Sequence, residues 1–177
     1  SQCHGVMDYE TNQLIRALIR PLETAKPGGP DGNLVALYVS VHGFVDRGEL
    51  YFAVGDSVAD DQETWVKFSE LYDQVFKTIE SRKDEYPGMR VAMFIDAARV
   101  GPQWDWGQFT ESFASDCARD CAIHADRIAV VLSARSGQRS WWNPRSGQGL
   151  FAEVLVEALT TPRADLDGDE MVTLGEI

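Results

Sequence analysis

Val91-Ala92-Met93-Phe94-Ile95 is an unbroken apolar run, followed by Asp96-Ala97-Ala98. A run this short and this uniform fits a strand buried on both faces, as in a parallel sheet. Upstream, Pro87-Gly88 breaks the chain. Before that break, Phe68, Leu71, Val75, Phe76 and Ile79 recur at helical spacing to about Lys83. Glu49–Val54 reads as a shorter strand. Leu34–Val41 is another near-continuous apolar run and leads into Ser40-Val41-His42-Gly43. Pro27-Gly28-Gly29-Pro30 separates that run from a helix expected near Asp8–Thr24, whose apolar face is Leu14, Ile15, Leu18, Ile19 and Leu22. Downstream, 101–119 reads as a loop with a short helix and Ile128–Leu132 as a third buried strand. Gly137–Gly149 reads as a loop and Leu150–Leu159 as a last helix.

This alternation predicts an α/β fold, a three-layer sandwich around a mainly parallel sheet. Such sheets bind ligands beyond the carboxyl ends of their strands. His42, Ala98 and the loop at Ser133 all fall at those ends.

The chain has 177 residues, 44% hydrophobic and 25% charged, as expected for one globular domain with a proper core. A net charge of −12 argues against a nucleic-acid surface and is compatible with basic substrates. No apolar stretch is long enough to span a membrane and no signal peptide is visible, so a cytoplasmic protein is expected. Three cysteines, Cys3, Cys117 and Cys121, make no disulfide framework. Two helical thiols are the expectation for Cys117 and Cys121; zinc held with His124 and Cys3 or His4 is the lesser alternative.

Three segments resemble the caspase-like cysteine peptidases, a family that includes caspases, metacaspases and bacterial relatives. They are Ser40-Val41-His42-Gly43, Asp96-Ala97-Ala98-Arg99 and Ser140-Trp141-Trp142-Asn143-Pro144. The middle segment is similar to the family's Asp-Ala-Cys-Arg with Cys changed to Ala. The last is close to the Ser-Trp-Arg-Asn-Pro of animal caspases. Their order and the spacing of about 50 residues between His and Cys add to the likeness. It covers about Asp8 to Leu159, within a peptidase domain expected over 1–160.

The resemblance implies a cysteine endopeptidase in which His42 moves protons. The Gly43 and residue-98 N–H groups would form the oxyanion hole, and the nucleophile position is Ala98. A methyl group cannot attack a carbonyl, so this chain is expected to be inactive. Ala98 is either an introduced residue that leaves a substrate trap or the mark of a natural pseudoprotease that binds peptides in the same groove. Gly43 suits an oxyanion hole because no Cβ blocks the substrate.

Asp96 stands where animal caspases carry Gln, and Trp142 where they carry Arg. An acidic wall repels a carboxylate and attracts a guanidinium, so cleavage after Arg, or Lys, is expected. Ser140 and Trp141 would pair with extended substrate backbone. The expected partners are a protein or peptide substrate and an activating protease or regulator; no nucleic acid or membrane is expected. Arg119 and Arg127 are plausible processing sites, and bacterial defence is implied by the resemblance alone. The family's opening strand, expected upstream of the first helix, has no counterpart in this sequence.

The acidic end, expected as a separate unit over 161–177, matches an EF-hand loop. Its oxygen ligands would be Asp165, Asp167, Asp169, the Met171 carbonyl, Thr173 and Glu176. Glu170 replaces the glycine usual at the sixth position. No cofactor is required for the peptidase chemistry; Ca²⁺ is the candidate ligand of this loop.

Overall fold

A computed structural model describes residues 11–26, 34–97 and 113–177. The chain divides into two compact units, 1–139 and 140–177.

The first unit is α/β. Its central sheet has the order β1 (Leu34–Ser40), β5 (Arg90–Asp96) and β6 (Ile128–Leu132), all parallel. The apolar runs form these strands because both faces of the sheet need apolar side chains. One face carries Leu37, Val39, Val91, Met93, Ile95 and Ile128. It shares a single core with Leu14, Leu18 and Leu22 of α1 (Thr11–Thr24), with Leu71, Val75 and Ile79 of α2 (Phe68–Ser81), and with Phe113, Cys117 and Cys121 of α3 (Phe113–Cys121). The other face carries Tyr38, Ser40, Phe94, Asp96, Val131 and Ser133, by the alternation of strand side chains. The parallel sheet flanked by helices agrees with the expected α/β class.

Between β1 and α2 the strand expected over Glu49–Val54 forms, within a small antiparallel sheet that the sequence patterns do not announce. His42–Asp46 is a strand, β2, pairing antiparallel with β3 (Glu49–Ala53), which pairs with β4 (Val66–Lys67). Arg47 and Gly48 make the turn with φ of 49° and 83°. Two successive positive φ values match the twist of a two-residue hairpin. Phe44, Tyr51 and Trp65 pack together on this small sheet, with the Phe44 and Trp65 rings 4.8 Å apart and edge-on.

Cys117 and Cys121 occupy one buried face of α3 as free thiols, with sulfurs 3.7 Å apart. The neighbouring sulfur and burial push the Cys117 thiol up. His124 stacks flat on Phe76 at 3.5 Å rather than joining the thiols. Cys3 and His4 lie outside the described residues.

In the second unit, β7 (Trp142–Asn143) and β8 (Gln148–Gly149) form a short hairpin inside the expected loop, and α4 (Leu150–Thr160) follows directly. A 3₁₀ turn at Pro162–Ala164 leads into the acidic loop. No helix among the described residues is long and apolar enough to cross a membrane.

Candidate functional site

Parallel register decides what meets at the carboxyl edge of the main sheet. Ser40 is level with Asp96, and Ser133 lies one step past the Ile95–Leu132 pair. The Ser133 N–H donates to the Ile95 carbonyl at 3.0 Å, which carries that register to the edge. Ser40, Asp96 and Ser133 therefore stand in one row across three strands, on one face.

Asp96 is 0% exposed, the one buried acid among the described residues. The Tyr38 hydroxyl donates to its Oδ2 at 3.1 Å. On either side, the Oγ atoms of Ser40 and Ser133 are buried with no hydrogen-bond partner among the described residues. Buried hydroxyls in folded proteins are nearly always bonded. Two hydroxyls flanking one buried carboxyl group thus keep bonding capacity unused among the described residues.

His42 begins β2 just past this row. Its ring is partly exposed and stacks on Phe44 at 6.2 Å. The aromatic cluster beneath gives the strand a fixed base. The ladder between β1 and β5 also continues beyond the strand ends: Val41 N–H donates to the Asp96 carbonyl at 3.2 Å and Gly43 N–H to the Ala97 carbonyl at 2.8 Å. His42 is thus tied to the chain segment that leads to position 98.

The structure gives a packing reason for glycine at position 43. A Cβ there would lie 2.7 Å from the Ala97 Cβ and 2.7 Å from the Phe113 ring. Packing of β2 against Ala97 and against Phe113 of α3 therefore by itself calls for glycine here. Its N–H is engaged with Ala97, so it serves an oxyanion only after that bond is released. Ala98, the nucleophile position, lies outside the described residues, as do Arg99 and the rest of the segment to 112.

The two expected processing sites are both engaged. Arg119 lies inside α3 and pairs with Asp116 at 2.9 Å, while the Arg127 guanidinium donates to the Pro87 carbonyl at 2.8 Å. Cleavage after Arg119 requires α3 to unwind, because proteases take extended backbone.

In the second unit, Trp141 and Trp142 are 65% and 52% exposed at the start of the hairpin, beside a partly buried Ser140. The Leu150 N–H donates to the Trp141 carbonyl at 2.8 Å, closing the hairpin onto α4. The carboxylate of Glu153 in α4 accepts from Asn143 Nδ2 at 3.0 and 3.1 Å and from Ser146 Oγ. The Ser146 and Asn143 bonds hold the Glu153 carboxyl below the usual carboxylate range. Nothing in the sequence singles out Glu153; an acid in the first turn of a helix reads as ordinary dipole compensation.

The acidic loop takes the turn its sequence made doubtful. Gly168 and Glu170 both have positive φ, 77° and 66°. The Asp165 carboxylate accepts N–H bonds from Gly168, Asp169 and Glu170, which hold Glu170 in that conformation. Carboxylate oxygens of Asp165, Asp167 and Asp169 lie within 4.8 Å of one another. Glu176 stands apart from that group. It accepts from the Thr173 N–H and Oγ1 at 2.7 and 2.8 Å and from the Leu166 N–H at 2.9 Å. The Met171 N–H donates to Asp169 Oδ1 at 2.8 Å. The donor set, all oxygen and strongly acidic, fits a hard divalent cation.

No family model, curated protein or solved structure matches this chain.

Proposed function

We propose that this chain is the inactive form of a caspase-like cysteine endopeptidase that cuts after Arg or Lys. The observation that carries the reading is the row Ser40–Asp96–Ser133 at the carboxyl edge of a parallel sheet. A buried carboxyl group with, on each side, a hydroxyl that has no bond among the described residues suits a guanidinium, whose N–H fork needs several acceptors in one plane. Lys, a point charge, uses fewer of them. The third layer of the sandwich belongs to the same proposal.

In this scheme, a thiolate at position 98 attacks the carbonyl of the basic residue. His42 delivers a proton to the leaving amine, then removes one from the water that hydrolyses the acyl-enzyme. Backbone N–H groups stabilise the oxyanion once the Gly43 bond to Ala97 opens. With Ala98 in place the groove holds peptide without cutting it. A natural pseudoprotease would do the same.

The test uses the chain as it stands. A peptide ending in Arg is expected to bind, one ending in Asp is not, and Asp96→Asn weakens the Arg peptide by about tenfold or more. Equal binding of both peptides would defeat the proposal.

Ca²⁺ is the ligand we propose for the acidic loop. Asp165, Asp167 and Asp169 would hold it, joined by the Met171 carbonyl, Thr173 and, after release from its backbone donors, Glu176. Calorimetry with Ca²⁺ against Mg²⁺ checks this, and the absence of heat at about millimolar Ca²⁺ rules it out.

A further inference from the structure

Phe113, Cys117 and Cys121 follow one another at four-residue spacing down the buried face of α3. The two thiols are free, and their sulfurs share a hydrogen bond at 3.7 Å. They differ in access. Cys117 is 0% exposed, whereas Cys121 is 8% exposed and is the last residue of the helix. The chain leaves α geometry there and enters a 3₁₀ turn, Ala122–His124. Two contacts with α2 hold this end. The Tyr72 hydroxyl donates to the Cys121 carbonyl at 2.8 Å, one of the acceptors that a helix end leaves open. The His124 ring lies flat on Phe76 at 3.5 Å.

We propose that Cys117 and Cys121 are an oxidation site: a peroxide joins them in an intrahelical disulfide, and the end of α3 yields to admit it. The proposal involves residues of the first unit alone and stands apart from the peptidase reading. The peroxide ROOH oxidises the Cys121 thiol to a sulfenic acid and leaves as the alcohol ROH, or as water where R is hydrogen. The Cys117 sulfur then attacks the Cys121 sulfur. The S–S bond forms, the S–O bond breaks, and the departing hydroxyl takes the Cys117 proton and leaves as water. The two sulfurs lose two electrons and the peroxide gains them.

Helical neighbours four apart hold their Cβ atoms about 5–6 Å apart, while a disulfide needs about 3.5–4.5 Å. Regular α geometry and the bond are therefore incompatible at this pair. Cys117 is enclosed, so the closing movement falls to Cys121 at the helix end. Its carbonyl then leaves the Tyr72 hydroxyl, and His124 leaves Phe76. The state of the thiols thereby sets how firmly the link from α3 to β6 is held against α2.

The test uses the Ala98 chain with Cys3→Ser, which leaves the pair as its only thiols. After excess hydrogen peroxide, the protein is unfolded in denaturant, alkylated and mapped by mass spectrometry. The expected result is a fragment pair joined through Cys117 and Cys121, lighter by two hydrogens, unalkylated, and separated by dithiothreitol. Amide hydrogen exchange over 118–124 is expected to quicken about tenfold in the oxidised protein and to recover on reduction. Two alkylated thiols, sulfinic acid without a link, or a link between two chains overturns the proposal. So does a link formed with exchange unchanged, because the helix end then has not yielded. Equal quickening in peroxide-treated Cys121→Ala overturns it too, since that chain cannot form the bond.

Discussion

A methyl group on Gly43 would sit 2.7 Å from both the Ala97 Cβ and the Phe113 ring. Neither neighbour is the free end of a flexible chain, so β2 would have to shift. Gly43→Ala is therefore expected to destabilise the protein by about 1–3 kcal/mol, read from a denaturant or thermal melt. An unchanged midpoint would show that the edge of the sheet is loosely packed. The sequence made this glycine visible, yet for another reason: the motif around His42 drew attention to it, while the clash with Phe113 depends on a helix far along the chain. Asp96 was more legible. It drew notice through the resemblance, at the end of an apolar run, although its burial as the last residue of β5 was not read. The orphan hydroxyls beside it were not legible, because a missing partner is a property of three strands together.

At the scale of elements, the buried runs announced their own strands because length and apolarity suffice for a parallel sheet. The β2–β3 hairpin was harder to see. Its signal, Arg47-Gly48 between two short alternating stretches, lacks the Asn or Asp that usually marks such turns. Helix ends were also set by distant partners. Arg82, just past α2, donates to the carbonyls of Leu22 and Ala25 at the end of α1, and its guanidinium lies 4.2 Å above the Tyr86 ring. These bonds satisfy carbonyls that α1 leaves open. Arg82→Ala is expected to cost about 1.5–3 kcal/mol, since bonds to a charged donor are lost and acceptors stay half-buried. Comparison with Arg82→Lys in the same melt separates this from simple charge removal: Lys cannot bridge both carbonyls in a fork.

The acidic loop carries its own pH signature. Backbone and side-chain donors from Thr173, then Leu166, hold the Glu176 carboxyl below the usual carboxylate range. A depressed folded value means that the loop's stabilisation is present above the ordinary value and is lost as pH falls through the folded one. The amide proton shifts of Thr173 and Leu166 are expected to titrate together, with a midpoint below the ordinary glutamate value. A midpoint at or above that value would show that these bonds do not form in solution.

For the whole molecule, net charge and chemistry point the same way. A net charge of −12 is compatible with basic substrates, and the one buried acid among the described residues, Asp96, is the residue to which the proposed function gives the reading of the substrate. The parallel sheet brings His42, Asp96 and Ala97 to one edge, and the proposed function places its acyl transfer there. The most direct test is Ala98→Cys assayed on fluorogenic peptides ending in Arg, Lys and Asp. The expected result is cleavage after Arg, slower cleavage after Lys, none after Asp, and loss of activity in the added His42→Ala variant. Faster cleavage after Asp than after Arg, or activity that survives His42→Ala, would contradict it.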